Sequence, residues 1–170
     1  MLKAAQLVNK QIPDTQFIIA KSPQLGAKTY QDECKRSDLD IKIVDGKTYD
    51  CLKIAEASLV CSGTATLEAA IMQKPFVIVY KMNLLNYLLY RPQVKIPHIG
   101  IVNIVAGRKI IPEFIQFNAR PKMIANAIVG LLQNPDRASR MINDLAEVKS
   151  SLGEPGAAGR AAKLILDFLK

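Results

Sequence analysis

The densest set of groups able to hold a phosphorylated ligand lies in one short run, Cys61-Ser62-Gly63-Thr64-Ala65-Thr66-Leu67-Glu68. An apolar strand-like segment ends there, Gly63 permits a tight turn, and two threonine hydroxyls follow where a helical pattern begins. Helix starts attract anions because unpaired N–H groups and the positive end of the helix dipole meet there. Glu68 lies one turn after Thr64 and on roughly the same face. A carboxylate in that place can accept hydrogen bonds from ribose hydroxyls while phosphates rest on the amides. The competing reading is a capped helix whose glutamate merely suits the dipole. The run by itself leaves both open.

Two later segments add candidates. In Ile99-Gly100-Ile101-Val102-Asn103-Ile104-Val105-Ala106-Gly107-Arg108, residues 99–103 are expected to form the last strand, which puts Asn103 at its carboxyl end. Such ends face the ligand crevice in parallel sheets, and an asparagine among apolar residues needs its amide satisfied. The alternative is an asparagine that stabilises a loop. In Pro112-Glu113-Phe114-Ile115-Gln116, Pro112 suits a first helical position, and Glu113 and Gln116 then share a face. They could hold a sugar or a water bridging a pyrophosphate, or simply be solvated. His98 follows Pro97 without a carboxylate, serine or cysteine partner nearby. It is read as structural, since a general base needs an orienting neighbour.

The elements that must position these residues alternate between short β-branched runs and helical patterns, as parallel βα units do. Helices are expected over 2–11, weakly over 25–35, and over 48–55, 64–73, 84–90, 121–132, 135–152 and 157–169. Strands are expected over 16–20, 41–44, 58–61, 75–80 and 99–103. The run PFVIVY is continuously apolar, as a strand covered on both faces should be. The leucine-rich segment with Leu84, Leu85, Leu88 and Leu89 is read as buried core, with a membrane anchor as the alternative. Residues 1–152 are read as one partial nucleotide-binding domain, and 153–170, opening on GEPGAAG, as a hinge and final helix. That helix carries an apolar stripe of Ala158, Ala161, Ala162, Ile165 and Leu169. The chain opens on a helix without the strand and glycine-rich turn that begin a complete doubly wound domain, so either the fold is unusual or its front, with a first strand, is missing.

Composition narrows the class. Hydrophobic residues make up 49 % of the 170, which excludes disorder by composition. The longest apolar stretch is interrupted by Lys81, Asn83 and Asn86, so no membrane span is expected. Three cysteines without a CxxC pair suit a reducing cytoplasm, and one histidine gives a zinc site no raw material. The net charge of +8 points to an anionic partner. Its scattered Lys and Arg residues and the lack of an aromatic platform weigh against nucleic acid, leaving a phosphorylated small molecule or a lipid headgroup.

Taken together, CSGTATLEAAIMQKPFVIVYKMNLLNYLLY followed by IPHIGIVNIVAGRKIIPEFIQ resembles lipid A disaccharide synthase, strongly over residues 58–116 and less distinctively over the rest. The resemblance implies an α/β fold: a Rossmann-like parallel sheet with flanking helices, the C-terminal half of a GT-B type glycosyltransferase. It implies transfer of 2,3-diacylglucosamine from UDP-2,3-diacylglucosamine to lipid X (2,3-diacylglucosamine 1-phosphate), releasing UDP, with no metal or other cofactor. On matching positions Ser62, Gly63, Thr64 and Thr66 are expected at phosphate, Glu68 at ribose, and Asn103, Glu113 and Gln116 in the donor pocket. A full family member has an amino-terminal half carrying the catalytic base and most of the acceptor site, and a GSR-type phosphate loop that would fall just before Met1. No catalytic residue is therefore assigned here, and the chain is expected to be inactive alone. The expected partners are a separate chain supplying the front half and the cytoplasmic face of the bacterial inner membrane, with self-association through an open sheet edge. The alternatives are an inactive remnant or nucleotide-binding module and, third, a UDP-sugar epimerase.

Overall fold

The computed structural model describes residues 1–22, 26–93 and 96–169, apart from the side chain of Tyr90. The chain runs α1 (Leu2–Gln11), β1 (Phe17–Lys21), α2 (Ala27–Cys34), β2 (Ile41–Asp45), α3 (Thr48–Ile54), β3 (Ser58–Cys61) and α4 (Ala65–Ile71). It continues with β4 (Phe76–Tyr80), α5 (Leu84–Tyr90), α6 (Ile101–Ala106), β5 (Glu113–Ile115), a single 3-10 turn (Gln116–Asn118), α7 (Pro121–Leu132), α8 (Pro135–Ser151) and α9 (Ala157–Phe168). The expected starts of the second helix at Leu25 and the expected end of the last domain at Lys170 lie outside the described residues.

Every strand pairing is parallel. β1 pairs with β2, and β3, β4 and β5 form a second sheet with β4 in the middle. Phe76, Val77 and Ile78 of β4 are all fully buried. Successive strand residues point to opposite faces, so β4 is covered on both sides, as its unbroken apolar run requires. α7 packs on β4 and is itself backed by Ala4 and Val8 of α1. α4, α6 and α8 pack on one another in a second group, centred on Ala69, Ala70, Met141 and Leu145. α8 begins as its sequence directs: Asn134 accepts a hydrogen bond from the Arg137 amide at 3.0 Å, Pro135 occupies the first turn, and Asp136 faces the helix dipole.

β1 and β3 each pair on one side only among the described residues. Both are half-buried rather than buried, in contrast to β4. α3, which links the two sheets, packs on β1 as well as β2. A two-stranded parallel ladder is marginal without a further strand or a helical cover.

Three expectations are corrected. Residues 99–103 are not a strand: Gly100 opens helix α6, whose Val102, Asn103 and Ala106 face inward while Ile104 and Val105 are exposed. The β-branched residues favour a strand locally, but inward positions at helical spacing decide the outcome. Pro112 does not open a helix: Glu113–Ile115 is the edge strand β5, paired with Ile78–Tyr80 of β4. Proline is tolerated at the start of such a strand because its missing N–H faces no partner. Finally, Leu84, Leu85, Leu88 and Leu89 are exposed and not core.

Candidate functional site

The turn Ser62-Gly63-Thr64 lies at the carboxyl end of β3, beside the end of β4, on the edge where parallel α/β sheets bind ligands. Gly63 has φ 147°, a conformation that favours glycine, and open space where a side chain would stand. Its amide and that of Thr64 bond to no acceptor among the described residues. The Ser62 hydroxyl donates to the Ile99 carbonyl at 3.1 Å, which ties this turn to the segment before α6. Thr64 is exposed at the head of α4. Thr66 is fully buried and its hydroxyl donates to the Gly63 carbonyl at 2.7 Å. It shapes the turn from inside, while Thr64 and Glu68 stand at the surface.

Glu68 is half-exposed and accepts a hydrogen bond from the Tyr49 hydroxyl at 3.2 Å. Tyr49 enters from the first turn of α3, just past the carboxyl end of β2. The negative charge of Glu68, then the hydrogen bond to it, raises the Tyr49 phenol above its ordinary 10.0, so the hydroxyl remains a donor at neutral pH. Sequence reasoning missed this residue. The signal was present, since an aromatic shortly after a parallel strand sits on the ligand edge. If Tyr49 orients Glu68, Tyr49→Phe should weaken binding of a phosphorylated ligand at this turn roughly two- to fivefold. Equal titration isotherms for both proteins would remove it from the site.

Asn103, Glu113 and Gln116 form a brace behind the turn. Asn103 is fully buried in α6, where its side chain bonds the Ile110 and Ile111 amides, the Ile111 carbonyl and Glu113 Oε1. Glu113 also accepts from the Ile99 amide at 3.2 Å and the Gly100 amide at 2.9 Å. Ile99 is thus held between Glu113 and Ser62. Gln116, buried with φ 47°, clasps both the amide and the carbonyl of Met82 at 3.1 Å and so fixes how the chain leaves β4. A non-glycine residue in that conformation persists only where its surroundings hold it. These three side chains are spent chiefly on backbone groups.

Arg108 turns away from this edge. It pairs with Asp144 at 2.7 Å and Glu147 at 3.0 Å across α6 and α8, an exposed bridge of small energetic consequence. Depressions of about 150 Å³ beside that bridge and about 320 Å³ beside α2 and β2 include no residue of the 62–68 turn. With Thr64 exposed and Glu68 half-exposed, the candidate site is an open rim of the sheet.

All-parallel strands, flanking helices and a glycine turn leading into a helix at the carboxyl edge define a Rossmann-like domain of the kind that forms the carboxy-terminal half of GT-B glycosyltransferases. Residues 1–165 match the model of one family, described as lipid-A-disaccharide synthetase. The chain is 39 % identical over 171 residues to the lipid-A-disaccharide synthase of Syntrophus aciditrophicus, covering all of this chain and 45 % of that protein. It is 41 % identical over 173 residues to that of Anaeromyxobacter sp. strain K, again covering all of this chain and 45 % of the relative. For Geobacter sulfurreducens the figures are 36 % over 169 residues, 99 % of this chain and 44 % of the relative. The chain belongs to the lipid-A-disaccharide synthetase family and spans less than half the length of these relatives.

Proposed function

We propose that this chain forms the donor-binding part of a lipid A disaccharide synthase. In the reaction, a hydroxyl of lipid X attacks the anomeric carbon of UDP-2,3-diacylglucosamine. The bond from that carbon to the UDP oxygen breaks, and the disaccharide 1-phosphate and UDP are formed. The hydroxyl proton passes to a base outside these residues, in the amino-terminal half where the family resemblance places it. The Gly63 and Thr64 amides, with the Thr64 hydroxyl, meet the pyrophosphate and stabilise negative charge on departing UDP, while Ser62 holds the turn in place through its bond to the Ile99 carbonyl. Thr66 acts by holding the turn, Glu68 accepts the ribose hydroxyls, and Asn103, Glu113 and Gln116 hold the pocket wall. The observation that carries the reading is the placement of a glycine turn and an acid, Glu68, on the sheet edge of a chain in this family.

The open sides of β1 and β3 fit one more parallel strand, supplied by polypeptide outside these 170 residues, either the front half as a separate chain or a longer form of this one. The same polypeptide would bring the acceptor site and the base. This assembly works at the cytoplasmic face of the inner membrane, where both lipid substrates reside. Among the described residues no helix is long and apolar enough to cross a membrane.

Isothermal titration of uridine diphosphate into the folded chain, with Glu68→Ala beside it, tests the reading. Saturable binding weakened about ten- to a hundredfold by the substitution is expected, the worth of hydrogen bonds to a charged group. Identical binding by both proteins would place the nucleotide elsewhere. A folded chain that binds no UDP would favour the remnant reading.

A further inference from the structure

Exposure at α5 is concentrated in large apolar side chains. Leu84, Leu85, Leu88 and Leu89 are 50 %, 66 %, 58 % and 59 % exposed. Phe117, at 59 %, extends the patch, its ring edge-on to Tyr87 with centroids 5.7 Å apart. Monomeric soluble proteins rarely leave such a cluster bare without a use for it. The helix is well made despite its exposure: Asn83 caps it by accepting from the Leu85 amide at 2.9 Å, and Gln116 anchors Met82 just before it. It is a formed element presenting leucines outward.

Charge indicates what those leucines meet. Residues 69–135 contain eight Lys and Arg against a single acid, Glu113, a balance of +7 out of the chain's +8. Glu113 is turned inward onto Ile99, Gly100 and Asn103. Lys81 and Arg91 flank α5 and are exposed, and Arg120, also exposed, is fixed beside Phe117 by donating to its carbonyl at 3.1 Å. An apolar helix face fringed by cations and free of acids matches an anionic lipid surface, where leucines enter the acyl boundary and cations meet headgroups. A protein partner would have to supply acids facing Lys81, Arg91 and Arg120 while leaving the leucines an apolar seat. An anionic bilayer provides both at once.

We propose that α5, with Phe117 and the flanking Lys81, Arg91 and Arg120, is a docking face for an anionic membrane. The face lies on the same edge as the candidate donor site. α5 leaves the carboxyl end of β4, and the segment that follows it is tied to the donor turn through Ser62 and Ile99. A diacylated sugar nucleotide could therefore reach the turn with its acyl chains still in the bilayer. That consequence rests on the proposed function, but the docking itself does not.

Flotation of the purified chain with vesicles tests it without any nucleotide, so its failure is distinct from failure of UDP binding. Vesicles of phosphatidylcholine and phosphatidylglycerol should bind the chain at least about tenfold better than phosphatidylcholine alone, since each basic side chain near the surface is worth roughly fivefold. The double variant Leu85→Asp/Leu88→Asp, at exposed positions, should keep its circular dichroism spectrum and lose at least about tenfold of that binding. Ile165→Asp/Leu169→Asp on α9 should leave it unchanged. Equal binding by the α5 variant, loss with the α9 variant instead, or no preference for anionic vesicles would overturn the proposal. So would an α5 variant that changes only the oligomeric state.

Discussion

Asn103→Ala should cost on the order of 3–5 kcal/mol of folding stability, among the largest losses available to a single substitution in this chain. Asn103 is fully buried and uses its whole hydrogen-bonding capacity. Oδ1 accepts from Ile110 N at 3.0 Å and Ile111 N at 2.9 Å, and Nδ2 donates to Ile111 O at 2.9 Å and Glu113 Oε1 at 2.8 Å. Alanine would strand two buried amides and a carbonyl, and would leave Glu113 Oε1 with the Gly100 amide alone. Each such group costs roughly 1–3 kcal/mol when left unpaired, and relaxation or a trapped water recovers part of it. Asn103→Asp should do no better: it restores the acceptor but turns a second oxygen on Ile111 O and on Glu113. In urea, both variants should unfold at a clearly lower midpoint with an unchanged slope. A loss below about 1 kcal/mol would mean that the loop holds its shape without this side chain.

Gly100→Val should be nearly as damaging, for a steric reason. Gly100 has φ −76° and ψ 122°, which any residue can adopt, so the backbone does not require glycine there. Space does. A Cβ at this position would run into Ile78 Cδ1 and come within 3.0 Å of Glu113 Oε1. Ile78 is fully buried in the central strand and has nowhere to go. Overpacking of this kind costs about 1–3 kcal/mol, with valine at the upper end. Gly107→Ala makes the contrast: φ 65° at the end of α6, with nothing near its would-be side chain, carries only a conformational cost of about 1 kcal/mol. The two glycines also differ in function. Displacing Glu113 at Gly100 loosens Ile99, on which the Ser62 hydroxyl rests, so Gly100→Val should weaken nucleotide binding as well. Gly107→Ala should leave it intact. Titration of the two variants at a temperature where both are folded separates the effects, and equal affinities would break the link from brace to turn.

Both predictions arise from the segment where sequence reasoning did least well. Residues 99–103 were expected as a strand because their isoleucines and valine prefer extended structure, and the preference is real. What overrides it is a single asparagine whose amide must reach backbone groups seven and eight residues further on. A strand would carry that side chain away from them. The adjoining error has the same origin. Pro112-Glu113 reads locally as a helix start, but Glu113 is drawn to the Gly100 amide, and β4 needs a partner on its outer edge. The leucines of α5 were expected to be core because an all-apolar helix is usually covered. Whether anything covers a helix is a property of its neighbours and not of its own residues.

What the sequence determined by itself is the set of features that local chemistry decides. The helices over α1, α3, α4, α7, α8 and α9 and the strands β1 to β4 fall where apolar period, caps and prolines put them. The family is equally legible, because the motif order SGTATLE, PFVIVYKMN and NIVAG to PEFIQ is carried residue by residue. Tertiary structure alone decided which polar side chains face solvent and which face the protein. Thr64 and Thr66 are two residues apart in one motif, yet one is exposed and the other buried. Asn103, Glu113 and Gln116 look equally available in sequence, and all three are engaged with backbone. The physical reason is that a buried amide or carbonyl must find a partner wherever the fold leaves one. That demand is set by distant segments meeting, which no local pattern encodes.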